Sequence, residues 1–268
     1  MEISWTQDGS TGVLGPDLVA GTADVGNLHD ALLSAFADAE SVVCDLSGTI
    51  VEVEPAELAG AVAGAALRVA DWPAATLTVV SARDDVRELL SRPPRAPGLA
   101  VVADLAAAAQ RRRPPGVVRW CRSRLEPMLR APALARAFLR STLDGWPAAG
   151  YRDDAMVVVD ELVANAVLHA GSEIELRLAL QPDRLGIAVA DRDPARPAVN
   201  RAGDGAESGR GMLLVDALAR SWHVLPRRGG GKVVRAVLAA APAGGSEDGV
   251  DVTDPPVRPP AQARGARP

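Results

Sequence analysis

The sequence predicts an α/β protein in two units, each a sheet with helices packed on it. Short β-branched apolar runs alternate with helical patterns through the first hundred or so residues. A basic, proline-containing joint, RRRPPG at Arg111–Gly116, then interrupts the chain. Beyond it, two helical patterns precede a strand pair, a further helix and a last strand. At about 100 to 200 residues per domain, 268 residues suit two domains, each large enough to bury a core.

In the first unit, residues 1–110, the runs Val42–Leu46, Leu77–Val80 and Leu99–Val102 are bounded by turn formers, as buried strands are. Leu28–Ala39, Pro55–Ala70 and Asp84–Leu90 have helical content, with Pro55 suited to a first turn. The alternation implies a sheet with crossover helices. The joint, residues 111–116, ends an Ala-rich helix with charge, two prolines and a glycine, and reads as a solvated linker.

The second unit, residues 117–241, opens with helices over Ala131–Leu143 and Arg152–Ala170. Glu173–Leu180 alternates apolar with polar, and the apolar run Leu185–Ala190 follows after a Pro182-Asp183 turn, which predicts an antiparallel pair. Gly211–Trp222 reads as another helix and Lys232–Leu238 as a last strand. The tail, residues 242–268, is rich in Pro, Gly and small polar residues and is expected to be disordered.

A net charge of −5 removes the electrostatic footprint of a general nucleic-acid or acidic-membrane binder. No apolar run approaches the roughly 18 to 20 residues of a membrane span. The start, MEISWTQDGS, lacks the pattern of a signal peptide, so a cytoplasmic protein is expected. Cys44 and Cys121 lie far apart without metal-ligand spacing, which argues against a disulfide scaffold or zinc site, and Cys44 reads as a core residue.

The residues that carry chemistry are in the second unit. In Asp160-Glu161-Leu162-Val163-Ala164-Asn165-Ala166, a helix puts Val159, Leu162, Val163 and Ala166 on one apolar face. Glu161 and Asn165, one turn apart, share the other side. Asn165 can give an oxygen to a hydrated magnesium ion, and Glu161 can take a proton from a nucleophile. The same pair can equally be a solvated face. Asp191 ends a strand-like run, where it can accept from an exocyclic amine or cap the turn at Asp193-Pro194. Ser208-Gly209-Arg210-Gly211 precedes a helix start, an arrangement that suits an anion but is also common in plain loops.

Taken in order, these pieces resemble the histidine-kinase-like (GHKL) ATPase superfamily, especially its bacterial anti-sigma-factor serine kinase branch. The resemblance spans about Pro127–Ala239 and implies the two-layer α/β sandwich of the Bergerat type. ELVANAVLHA is similar to the N box, which implies Glu161 as base and Asn165 as Mg²⁺ ligand. VADRDP is similar to the first glycine box, with Asp191 on adenine. GRGMLLVDALA is similar to the second, with Gly209 and Gly211 at the lid over the ATP phosphates. Arg210 and Lys232 are both candidates for the γ-phosphate. Where the wider family has glycines after the aspartate, this chain has Arg192, Asp193 and Pro194, which implies weakened nucleotide binding.

The first unit in turn resembles a STAS domain, the fold of the anti-anti-sigma factors such kinases phosphorylate. VVCDLSG is similar to the strand before that family's phosphorylation loop, but Val53-Glu54-Pro55-Ala56 stands in place of its Asp-Ser-Ser-Gly. Either Glu54 imitates a phosphate's charge or the loop is degenerate. The resemblance implies an ATP-dependent protein serine/threonine kinase that acts on a STAS-domain antagonist and controls a sigma factor by partner switching. Homodimers are common in the branch. The alternative is a non-catalytic, nucleotide-responsive interaction protein in the same signalling. A metabolic enzyme would need another catalytic cluster, and His29, His169 and His223 are scattered in sequence.

Overall fold

The computed structural model describes residues 1–81, 83–111, 118–197 and 210–240, with Arg210 described by its backbone alone. The joint at 112–116, Gly209 and the tail at 242–268 lie outside the described residues.

The elements run β1 (Ile3–Asp8), β2 (Thr11–Pro16), β3 (Leu18–Val19), α1 (Thr22–Asp38), β4 (Ser41–Asp45), β5 (Ile50–Val51), α2 (Pro55–Val69), β6 (Thr76–Val80), α3 (Asp84–Ser91), β7 (Leu99–Val102) and α4 (Leu105–Gln110). There follow β8 (Arg119–Leu125), α5 (Ala131–Asp144), a 3-10 turn (Ala149–Tyr151), α6 (Arg152–Ala170), β9 (Ile174–Gln181), β10 (Arg184–Asp191), α7 (Arg210–Leu218), β11 (Ser221–Pro226) and β12 (Lys232–Ala239). The fold is mixed α/β, as the sequence predicts.

The first sheet has the order β1-β2-β4-β6-β7, antiparallel at β1–β2 and parallel thereafter through the crossovers α1, α2 and α3. Pro55 opens α2 at its first turn. The β1–β2 hairpin has no counterpart in the sequence analysis. Its signal is the loop pair Gly9-Ser10, where Gly9 supplies the positive φ of +57° that a two-residue loop needs.

The second sheet, β11-β12-β10-β9-β8, is antiparallel throughout, with α5, α6 and α7 on one face. Two expectations are corrected here. The helix expected over Gly211–Trp222 ends at Leu218, and Ser221–Pro226 is an edge strand, because pairing with β12 satisfies its backbone and Pro226 is tolerated at an edge. Arg119–Leu125, unassigned from sequence, is the opposite edge strand, polar because it is half exposed.

Both faces of the second sheet are covered. Leu185, Ile187 and Val189 of β10 pack with Val234, Ala236 and Leu238 of β12 under α6. Their alternates Ala188, Ala190, Val233 and Val237 join the core of the first half, beside Phe36 of α1 and Trp72 after α2. α1 and α2 thus lie between the two sheets. Small residues on this rear face allow the close approach: a Cβ at Gly186 would sit 2.8 Å from Pro73 Cδ and 2.8 Å from Trp72 Cζ3. Gly186→Val is therefore expected to destabilise the full chain by about 1–3 kcal/mol in chemical unfolding, through overpacking against Trp72. An unchanged midpoint would show that the rear contact contributes little.

Polar ties span the same seam. Arg184 Nη1 donates to the Asp71 carbonyl at 3.3 Å, Arg227 pairs with Asp38 at 3.4 Å, and Arg228 lies 5.0 Å from the Trp5 ring centroid. Cys44 is fully buried, with its thiol pushed up to about 12 by burial and by Asp45, so it is an inert core residue as expected. Both cysteines are free. Among the described residues no helix is long and apolar enough to cross a membrane.

Candidate functional site

α6 spans the helix expected from sequence, Arg152–Ala170, and ends on Gly171 in the left-handed conformation. Val159, Leu162, Val163 and Ala166 are all buried, which fixes the helix's rotation on the sheet. That rotation leaves Glu161 and Asn165 half-buried, one turn apart. His169, in the last turn, is exposed.

α7 is packed beside α6, and Gly211, its second residue, meets Glu161. A Cβ at Gly211 would collide with Glu161 Oε2 and lie 3.0 Å from Cδ. A side chain at Gly211 would therefore push the Glu161 carboxylate out of this position. The tertiary structure therefore brings together Glu161 and Gly211, which are 50 positions apart in sequence. Gly209 is outside the described residues, as is the side chain of Arg210.

Burial raises the Glu161 carboxyl above the ordinary range, and the neighbouring charge of Asp160 adds to the effect. Asp160 itself pairs with Arg136 of α5, a contact no sequence motif signalled. A carboxylate raised in this way is a better proton acceptor near neutral pH than a free glutamate.

Asp191 and Lys232 stand directly opposite each other where β10 and β12 pair, and each is only 2% exposed. Lys232 Nζ donates to Asp191 Oδ1 at 3.0 Å, to the Asp193 carbonyl at 2.9 Å and toward Asp193 Oδ2 at 3.5 Å. The hydrogen bonds of Lys232 thus go to Asp191 and its turn, which is what the structure shows of this γ-phosphate candidate. Asp193 N also donates to Asp191 Oδ1, at 2.9 Å, so Asp191 does cap the turn. Burial raises the Asp191 carboxyl, while Lys232 opposes the shift.

Two further residues shape this end: Gly231, in the GGGKVVRAVL run that resembles the end of the domain, and Ser172, to which sequence reasoning gave no role. Gly231, at φ +91°, lies so close that a Cβ would be 2.7 Å from Arg192 Cα. Ser172 Oγ accepts from Arg192 N at 3.1 Å. The run Gly229-Gly230-Gly231, all at positive φ, was the available signal for a tight return into β12.

In the first unit, Glu54 caps the start of α2 by its backbone, with Pro55 behind it. Ser47 is tied locally, its N and Oγ bonding Asp45 Oδ1 at 3.0 and 2.7 Å.

A family model described as a histidine kinase-like ATPase domain matches residues 125–238. No curated protein matches the chain. Among solved structures, the RsbU and RsbW domains of Rv1364c from Mycobacterium tuberculosis align at 21% identity and a TM-score of 0.35. That alignment covers 45% of this chain and 32% of the other, so this chain matches about a third of that protein's length. In both its sequence and its layering of helices on a mixed-order antiparallel sheet, the segment 125–238 is similar to the histidine kinase-like ATPase domain.

Proposed function

We propose that the second unit, residues 117–241, binds ATP with Mg²⁺ and transfers the γ-phosphate to a serine of a separate STAS-domain anti-anti-sigma factor, so that a sigma factor is controlled by partner switching. The observation that carries this reading is the contact of Gly211 with Glu161, one helical turn from Asn165, inside the segment that matches an ATPase domain.

Each residue has a part. Asp191 Oδ2 accepts from the adenine amine, held by Lys232 and the Asp193 turn. Gly209, Arg210 and Gly211 belong to the segment over the phosphates, where a helix start favours anions. Glu161 takes the proton of the attacking hydroxyl, its basicity raised by burial. Among the described residues no group of three or more His, Cys, Asp or Glu could hold a metal. The donor set at Asn165 instead suits magnesium, which binds few protein oxygens and keeps water and phosphate ligands. When bound, the ion would neutralise phosphate charge.

The first unit, residues 1–110, is proposed as a STAS-like domain joined through residues 111–116. Its mixed sheet with crossover helices supports this. It packs on the rear of the second sheet, away from Glu161, which supports a partner in trans as the phosphate acceptor. A homodimer is compatible with this arrangement. The second reading, a non-catalytic nucleotide-responsive interaction protein, is favoured by one observation: the family's acceptor serine is missing at Val53–Ala56.

The test is equilibrium binding of ATP and ADP to the full chain with and without Mg²⁺. Wild type should bind both, with Mg²⁺ strengthening ATP, and Asn165→Ala should lose at least tenfold of that Mg²⁺ effect. Absence of ATP binding overturns the reading. An unaltered Mg²⁺ effect in Asn165→Ala removes the metal role.

A further inference from the structure

β8 is the outer strand of the second sheet, paired with β9 alone. Among the described residues its other edge has no backbone partner, which leaves a row of N–H and C=O groups of the kind that sheets cover or charge. The strand is basic, with Arg119, Arg122 and Arg124 all exposed. The stretch 111–130 around it holds seven arginines and one acid, Glu126, in a chain whose net charge is −5. Arg122 stands directly opposite Arg177 in the β8–β9 register, a like-charge pair that costs stability. Glu175 offsets Arg177 at 2.5 Å, whereas Arg122 makes no ion pair among the described residues. Arg124 reaches Glu173 only at 3.7 Å and keeps 65% of its side chain exposed.

An open groove of about 690 Å³ runs beside this strand, lined by Trp120, Cys121 and Arg122 and by Gly9 and Ser10 of the β1–β2 turn. That volume is in the range of occupied clefts. Of the acids on its lining, Asp38 faces Arg227 at 3.4 Å, Glu175 is held by Arg177, and Glu40 is buried.

Charge and reach select the occupant. A second copy pairing through the same edge would set arginine against arginine. The complement is in the chain itself: Glu247-Asp248-Gly249-Val250-Asp251-Val252-Thr253-Asp254 has four acids, no base and two β-branched valines. Ala239, the last residue of β12, stands opposite Arg184, which stands opposite Gln181, next to the Leu180 that faces Arg119. β12 therefore ends at the end of the sheet where β8 begins. From β12 past β10, β9 and β8 is four strand spacings, about 19 Å. Residues 240–246 can span up to about 23 Å.

We propose that residues 247–254 dock along the free edge of β8, with their carboxylates on Arg122 and Arg124, and so close this edge to pairing with other chains. The contact is within one chain and is weakened by salt. It does not rest on the reading of the Glu161 side.

The experiment is amide hydrogen exchange of the full chain, read at the outward-facing amides of Arg119–Leu125. The comparison is a full-length variant carrying Glu247→Gln, Asp248→Asn, Asp251→Asn and Asp254→Asn. At low salt the variant should exchange there at least about tenfold faster, with the amides of β10 and β12 unchanged as the check on folding. Sodium chloride at about 0.5 M should bring wild type to the rate of the variant. A synthetic peptide of residues 245–256 should restore protection to the variant, and Arg122→Gln with Arg124→Gln should repeat the loss. Equal exchange in wild type and the charge variant, or protection indifferent to salt, would overturn the proposal. Protection that grows with protein concentration would assign the edge to a second copy and overturn it as well.

Discussion

Glu161→Gln is expected to lower phosphate transfer to a STAS-domain antagonist by roughly 10²–10⁴-fold while leaving ATP binding in place. Glutamine keeps the shape of the side chain against Gly211 but cannot take a proton. Radiolabel transfer from ATP measures the loss, and equal labelling by variant and wild type would remove Glu161 as base. The pH profile gives a second reading. Burial, helped by Asp160, raises the Glu161 carboxyl, so its ionised fraction falls off at a higher pH than for a free glutamate. Transfer should rise as the pH climbs through that raised value. In Glu161→Gln this acid limb should vanish and leave a flat residual rate. A limb that persists in the variant belongs to another group.

Lys232→Met should produce the largest loss of stability, about 3–5 kcal/mol, because it leaves the Asp191 carboxylate buried without its cation. Sign follows from burial. The raised Asp191 carboxyl loses the main partner that opposed the shift and keeps only the Asp193 N–H, so the penalty falls on the ionised form. The deficit should therefore shrink as the pH is lowered and Asp191 takes up a proton. Pairing Lys232→Met with Asp191→Asn should recover most of the loss, since no buried charge then remains. Denaturant unfolding of both variants at two pH values tests this. A Lys232→Met midpoint equal to wild type at neutral pH would mean that the pair is not stabilising. The same substitution frees the turn at Asp193, whose carbonyl Lys232 also holds, so ATP binding should weaken with it.

Much of this architecture was legible along the chain. The strands at Val42–Leu46 and Leu99–Val102 were visible as short apolar runs bounded by turn formers, and the helix Arg152–Ala170 by its apolar face and length. The two edge strands of the second sheet were not. Arg119–Leu125 is polar because it is half exposed, and Ser221–Pro226 follows a helical pattern closely enough to read as its continuation. At the candidate site, the spacing of Glu161 and Asn165 was read directly from one helix. The place of Lys232 was not, because its partners Asp191 and Asp193 are about 40 residues away and the pairing exists only through β10–β12 register.

The run Leu185–Ala190 shows where the two sources of information divide. Its unbroken apolar character already required burial on both faces. Sequence determined that, along with the central strands and the helix carrying Glu161, since each follows from local side-chain pattern. Which surface covers the second face was decided by tertiary packing alone, as was the contact of Gly211 with Glu161. Contacts of that kind depend on shape and distance between segments remote in the chain, and no repeat in the chain encodes them.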